Sequence, residues 1–275
     1  MNLENYFISQ FNNSHIGDDG AIVEKVDSMV LSKDAFFENV HFRRSWMSYY
    51  QIAKKAMIIN ISDAVAMNAK PKYILLSVAM PKDITKTQMR DLVRGFEEVA
   101  SEYGAIIVGG DTISNIKLDI TVTVISSAAR PLRRVGLRNN HMIAHTGILG
   151  RSAKELKKLF NLGRIHKYSK FIDIKLNAKF ISNASRVLSS GMDISDGLFS
   201  DLDKLARVNA VGFKFIKNID KSIACSGEEY EMLIGFDKRN RKSVLRRAEQ
   251  SRTKLNIFAT TARTKYINRC KSHHF

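Results

Sequence analysis

Residues 48–80 read SYYQIAKKAMIINISDAVAMNAKPKYILLSVAM, and their pattern decides the fold. From Ser48 to Met67 apolar residues recur at three- and four-residue spacing, the period of a helix, until Lys70 and Pro71 stop the pattern. Tyr73 to Met80 is then a continuous apolar run closed by Pro81, as a buried strand requires. Further on, Thr85 is placed to cap a helix over TKTQMRDLVRGFEEVASEY that Gly104 closes. AIIV then leads into Gly109, Gly110 and Asp111, and KLDITVTVIS supplies another strand. Toward the N-terminus, residues 3–11 keep a helical rhythm. GAIVEKV and SMVLSKDAFF, separated only by Asp27 and Ser28, read as a hairpin.

The texture changes at RPLRRVGLRNN, residues 130–140, which is basic and polar. A domain boundary is placed there, giving domains 1–132 and 133–275. After it come the short apolar HMIAHTG, a helix at RSAKELKKLF, a helix over about 178–189 and the loop GMDISDG. A helix over about 197–208, the strand VGFKFI, the SGEEYEMLIGF segment, a helix at 238–250 and strands near 254–260 and 264–269 complete the chain. The fold class is therefore α+β in two domains, a mixed N-terminal one and an α/β C-terminal one.

Composition bounds the function. The chain has 275 residues, more than the roughly 100 to 150 of a typical single domain. Lys and Arg number 44 against 27 Asp and Glu, so the net charge is +17, which invites a polyanionic partner. The cations are spread and no aromatic residues interleave with them, so the footprint of a nucleic-acid-binding protein is missing. No apolar run approaches the roughly 18 residues of a membrane span. The two cysteines, Cys225 and Cys270, form no CxxC pair, which indicates neither a disulfide framework nor a zinc site. A reducing, cytoplasmic setting follows from that usage.

The scarce acids carry the chemistry. They recur beside Gly, Ser or Asn at the margins of apolar segments, in GDDGA, LSKDAF, NISDA, GGDT and DISDG. Asp18, Asp19, Asp34, Asp63, Asp111, Asp193 and Asp196 are expected at strand ends and helix starts, where ligands bind on such architectures. A single Asp there is usually a cap or a turn residue. Caps give no reason for paired forms such as DD and DxSD, however, and converging carboxylates repel unless they hold a cation. Oxygen donors without His or Cys suit magnesium, and magnesium points to phosphates. There is no GxxxxGK[ST] loop, GxGxxG turn, kinase signature or GxSxG elbow, so a nucleotide enzyme here needs another scaffold.

In order, IGDDGAIV, LSKDAFFENVHF, KKAMIINISDAVAMNAKP, VGGDT, RRVG, HTGILGRSA, DISDGLFSDL and SGEEYEML resemble the motif series of the thiamine-monophosphate kinases. That family is grouped with aminoimidazole ribonucleotide synthetase, selenophosphate synthetase and the hydrogenase maturation factor. The resemblance spans nearly the whole chain. It implies an N-terminal ATP- and magnesium-binding domain whose sheet forms a homodimer, and a C-terminal domain that completes the ATP and substrate site. It also implies transfer of a phosphoryl group from ATP to thiamine monophosphate, using several magnesium ions.

Carried over by position, the resemblance implies magnesium contacts at Asp19, Ser32, Asp34, Asp63, Asp111, Asp193 and Asp196. It implies ATP contacts at Gly110, Asp111, Arg134 or its neighbour Arg133, and Ser195, and substrate contacts at His41, Glu228 and Phe275. Three departures stand out. Lys33 replaces a small hydroxyl residue, and is expected to bring a cation near the phosphates. SGEEY carries Ser226 and Glu229 where GGEDY is usual, and Asn68 stands where Gly is usual. Selenophosphate synthetase would need an N-terminal reactive Cys, which is missing, and the maturation factor a C-terminal one, to which Cys270 is an inexact match.

Overall fold

A computed structural model describes residues 3–11 and 28–271 of the chain. Asp18, Asp19, the first strand of the expected hairpin and Phe275 lie outside the described residues. Two units divide the chain, Met1–Ala64 with Ala69–Ala129, and Val65–Asn68 with Arg130–Phe275.

Helix α2 (Tyr49–Ala66) organises the first unit after a short α1 (Leu3–Ile8). Ile52, Ala53, Met57, Ile61 and Ala64 are fully buried, so much of the helix surface is apolar, as a helix packed on more than one neighbour requires. One cover is a four-stranded sheet of β1 (Met29–Phe37), β2 (Lys70–Pro81), β3 (Ile106–Asn115) and β4 (Asp119–Ser127), in the order β1-β4-β2-β3. The buried Asn60 of α2 reaches it, Nδ2 donating to the Val122 carbonyl at 2.6 Å. The other cover is α3 (Lys86–Glu102), which joins the parallel pair β2 and β3. A Cβ on Gly95 of α3 would lie 2.5 Å from the Tyr50 carbonyl oxygen, so the glycine is what lets the two helices approach. Lys54 and Glu98 tie them at the rim, 2.8 Å apart. Thr85 caps α3 as expected, in a capping box with Gln88, and Gly104 follows it at φ 65. The described partner of β1 is β4, antiparallel.

The second unit contains β5 (His141–Thr146), α4 (Arg151–Phe160), α5 (Ala178–Ala184), β6 (Ser190–Asp193), α6 (Leu198–Asn209), β7 (Gly212–Phe215), α7 (Lys221–Ala224), β8 (Met232–Asp237), α8 (Arg241–Gln250) and β9 (Leu255–Ala262). Its sheet runs β6-β8-β5-β9-β7, every ladder antiparallel, over a core that includes Ile143, Ile194, Leu198, Leu202, Leu233 and Phe258.

Four details differ from the sequence reading. GMD is not loop but part of the edge strand β6, a role hidden by its lack of β-branched residues. The helix expected over 178–189 ends at Ala184, because Val187 and Leu188 both turn back to the Ala184 carbonyl. Only one of the two last strands exists. Residues 264–269 are held by side chains instead, with Tyr266 edge-on to Phe213 and its hydroxyl donating to the Phe199 carbonyl at 3.1 Å. Finally, Cys225 and Cys270 form a disulfide, with Cα atoms 5.5 Å apart, although their spacing of 45 residues gave no sign of it. Among the described residues, no helix is long and apolar enough to cross a membrane.

Replacing Gly95 by Val forces α2 and α3 apart. It is expected to lower unfolding free energy by about 1–3 kcal/mol in urea titrations while secondary structure persists without urea. His145 supplies a pH dependence. It is buried against Phe258 with Nδ1 2.8 Å from the Thr146 carbonyl oxygen, and burial holds its pKa below the usual 6.5 despite that carbonyl. The folded state thus favours the neutral ring. The stability it contributes is present above pH 6.5 and is lost as pH falls through the depressed folded value. Urea midpoints should drop between pH 7.5 and pH 5.5, and His145→Gln should flatten that drop.

Candidate functional site

In the first unit, the strand β1 sorts its residues by face. Ser32 and Asp34 alternate with Lys33, so they share the side that α2 covers. Ser32 Oγ lies 3.2 Å from both the carbonyl and the side-chain oxygen of Asn60, and Asn60 is fixed in turn by Val122. Asp63 follows one helical turn after Asn60, half-buried, in the last turn of α2. Ser32, Asp34 and Asp63 therefore belong to one region of the unit.

Asp34, Val122, Leu76 and Gly110 form a single row across all four strands. Gly110 is set by packing, since a Cβ there would lie 1.6 Å from the Leu76 carbonyl oxygen. Asp111 is one residue beyond that row, opposite Ser77, and its Oδ1 accepts from its own neighbour Thr112 N at 2.9 Å.

His41 lies just past β1 in a tight turn at whose start Asn39 adopts φ 68. Its Nδ1 accepts from Phe37 N at 3.0 Å, which leaves the ring proton of the neutral imidazole on Nε2. Glu38, buried beneath the turn, accepts from Leu118 N at 2.9 Å and from Arg44 Nε at 2.8 Å. The Phe37 bond sets the tautomer and orientation of the His41 ring.

In the second unit, β6 ends at the buried Asp193, and the chain reaches α6 through Ile194, Ser195, Asp196 and Gly197. Glu228 N donates to the Ser195 carbonyl at 2.7 Å, and Tyr230 N to the Ile194 carbonyl at 2.8 Å. The DISD and SGEEY segments are thus laced together, and Asp193, Ser195, Asp196 and Glu228 share one corner. Lys204 of α6 reaches into it, 2.7 Å from Asp196 Oδ2 and 2.7 Å from Asp201 Oδ1. Asp201 is fully buried and also accepts from Asp196 N at 3.2 Å. Burial pushes its carboxyl up to about 7, against the pull of Lys204. Burial works against charge on Lys204, but the two carboxylates more than reverse this and raise its pKa.

The RRVG segment is pinned by its backbone. The Arg134 carbonyl accepts from Ser190 Oγ at 2.7 Å and Asn209 Nδ2 at 2.9 Å, and the Arg133 carbonyl from Gly191 N at 3.0 Å. Both arginine side chains are exposed.

Several sequence expectations change. Of the described acids, Asp34 and Asp111 lie within strands and Asp63 in the last turn of a helix, not at strand ends or helix starts, while Asp193 and Asp196 sit at such a junction. Lys33 is exposed on the face of β1 opposite to Ser32 and Asp34, because side chains alternate along a strand, and Asp111, one residue past the Gly110 row, lies on that same outer face of the sheet. Among the described residues, no three His, Cys, Asp or Glu side chains are gathered closely enough to hold a metal ion. Sequence reading missed Asn60, Asp201 and Lys204. The last two carried a signal in their i, i+3 spacing within DISDGLFSDLDK.

Comparison with known proteins places this geometry. Residues 17–128 match the family model for the AIR synthase related protein, N-terminal domain. A thiamine-monophosphate kinase of Buchnera aphidicola subsp. Schizaphis graminum is 30% identical over 260 residues, covering 83% of this chain and 78% of that protein. Among solved structures, thiamine-monophosphate kinase from Stenotrophomonas maltophilia K279a superposes with a TM-score of 0.83 at 21% identity, over 94% of this chain and 90% of that one. The Aquifex aeolicus kinase AaThiL, complexed with AMPPCP and TMP, gives a TM-score of 0.80 at 23% identity over 96% and 93%. At these identities the solved structures establish the shared α+β fold, and the sequence relationship goes further: the chain belongs to the thiamine-monophosphate kinase family.

Proposed function

We propose that this chain transfers the γ-phosphoryl group of ATP directly to thiamine monophosphate, giving thiamine diphosphate and ADP, the last step of thiamine diphosphate biosynthesis. The observation that carries the reading is the lacing of Glu228 to Ser195 beside Asp193 and Asp196, in a chain related to these kinases over most of its length. The proposed contacts fall in both units: magnesium, ATP and the His41 substrate contact in the first, and magnesium, ATP and the Glu228 substrate contact in the second.

Thiamine monophosphate needs no general base. The second pKa of a phosphate monoester is about 6, so at neutral pH its oxygen is already an anionic nucleophile. The barrier is repulsion between two anions, and positioning with charge compensation lowers it. Asp19, Ser32, Asp34, Asp63, Asp111, Asp193 and Asp196 are the residues proposed to hold magnesium; every donor is oxygen, which suits that ion. When bound, magnesium neutralises phosphate charge.

The chain's own groups do the rest. Arg134, its backbone pinned and its side chain exposed, is proposed to reach the phosphates of ATP as a cation, with Gly110 and Ser195 lining the nucleotide. His41 offers an Nε2 proton to a substrate phosphate oxygen, oriented through Phe37. Glu228 and Phe275 are the other residues proposed to contact the substrate.

A homodimer is part of the proposal. Met29, Leu31, Leu75 and Ile113 leave the sheet's outer face apolar at 62%, 64%, 37% and 56% exposure, a surface that a second copy can cover. A cytoplasmic setting fits a biosynthetic substrate of this kind. The maturation-factor alternative requires a free thiol near the C-terminus, and Cys270 is bonded to Cys225.

Purified protein incubated with ATP, magnesium and thiamine monophosphate is expected to yield thiamine diphosphate by chromatography, and none from free thiamine. Asp111→Ala should lower the rate by about 100-fold, as the loss of one electrostatic contact to a transferring phosphoryl group does. Absence of product from folded protein that binds ATP would reject the reading.

A further inference from the structure

Glu229 is wholly buried and belongs to a network that the phosphoryl-transfer chemistry does not use. Its Oε1 accepts from Gly150 N at 2.8 Å, Ser152 N at 3.2 Å and Ser226 Oγ at 2.5 Å. Ser226 Oγ in turn accepts from Ala153 N at 3.1 Å. These amides are the start of α4, whose own N-cap, Gly150 at φ 87, has no side chain to satisfy them. Glu229 and Ser226 therefore cap α4 from another part of the chain. The second oxygen, Oε2, lies 3.0 Å from Lys170 Nζ, which is also 2.7 Å from Glu231 Oε1 and donates to the Ile148 carbonyl at 2.7 Å. Glu231 Oε2 accepts from Thr146 Oγ1 and Asn177 Nδ2.

The residues on either side of Glu229 are strained. Glu228 has φ 54 and Tyr230 φ 49, a left-handed conformation that residues other than glycine hold only when their surroundings impose it. Both amides donate into the DISD segment, to Ser195 and Ile194. Glu229 lies between them, gripped by three donors and an ammonium group.

We propose that Glu229, with Ser226 and Lys170, is a positioning residue that presents Glu228 to thiamine monophosphate and so sets the affinity for that substrate. Ser226 and Glu229 act as one unit, because the serine hydroxyl is shared between the carboxylate and the helix. The proposal rests on the reading of Glu228 as a substrate contact.

The test compares steady-state kinetics of the wild-type protein, Glu229→Gln and the milder Ser226→Ala, with melting temperatures for each. Glu229→Gln should raise KM for thiamine monophosphate by roughly tenfold or more, the range commanded by partners that orient a site residue, while kcat and KM for ATP stay within about threefold. Ser226→Ala should shift the same constant in the same direction by a smaller factor. Adding Ser226→Ala to Glu229→Gln should produce less than the product of the two single effects. A wild-type protein without kinase activity overturns the underlying reading, and this inference with it. An active wild type overturns the inference alone if the variants melt earlier with KM for thiamine monophosphate unchanged, or if both KM values and kcat fall off together. Should Glu229→Gln fail to fold, an unchanged KM in folded Ser226→Ala overturns it as well.

Discussion

A carboxylate removed from water must find donors or a cation, and the second unit is built around that constraint. Glu229 and Glu231 stand two residues apart and are both buried. Lys170 lies between their carboxylates, and backbone amides, Ser226, Thr146 and Asn177 occupy most of the remaining positions around their oxygens. Remove the lysine, and two negative charges would face each other in a low dielectric. Because Glu229 also caps α4, the same contacts fix where that helix starts. They further hold the strained backbone on both sides of Glu229 against the DISD segment. The start of α4, the left-handed residues Glu228 and Tyr230 and the corner that gathers Asp193, Ser195, Asp196 and Glu228 all adjoin this one network.

The same requirement appears on a smaller scale at Lys204, which neutralises Asp196 and the buried Asp201. In the first unit the acids are handled by geometry instead. The period of two in β1 puts Ser32 and Asp34 on the side of α2, and Asn60, locked to Val122, keeps Ser32 in place. Each unit thus carries oxygen donors on rigid elements. The chain's large positive charge suits the polyanions that the proposed transfer brings together.

How far the sequence could be read depended on the kind of interaction. Helices α2 and α3 and strands β2 and β4 were legible, because apolar period, Pro71, Thr85 and Gly104 all act locally. The family motifs were legible because they are runs of adjacent residues. Edge strand β6 was not, since Ser190, Gly191 and Met192 owe their strand conformation to pairing with β8. The Cys225–Cys270 bond and the cap that Glu229 lends to α4 join residues 45 and about 79 positions apart, and no local pattern records such a meeting. Lys33 shows that adjacency in sequence is not adjacency in space: a strand sends neighbours to opposite faces, so Lys33 shares its face with Asp111 and not with Ser32 and Asp34.

Transfer straight from ATP to thiamine monophosphate leaves no phosphorylated protein along the way. The most direct measurement is a single turnover with excess enzyme, magnesium and ATP labelled in the γ-phosphoryl group. The label should appear in the terminal phosphate of thiamine diphosphate, in step with ATP loss and with none on the protein. Label trapped on the protein before product forms, or released only as inorganic phosphate, would contradict the account.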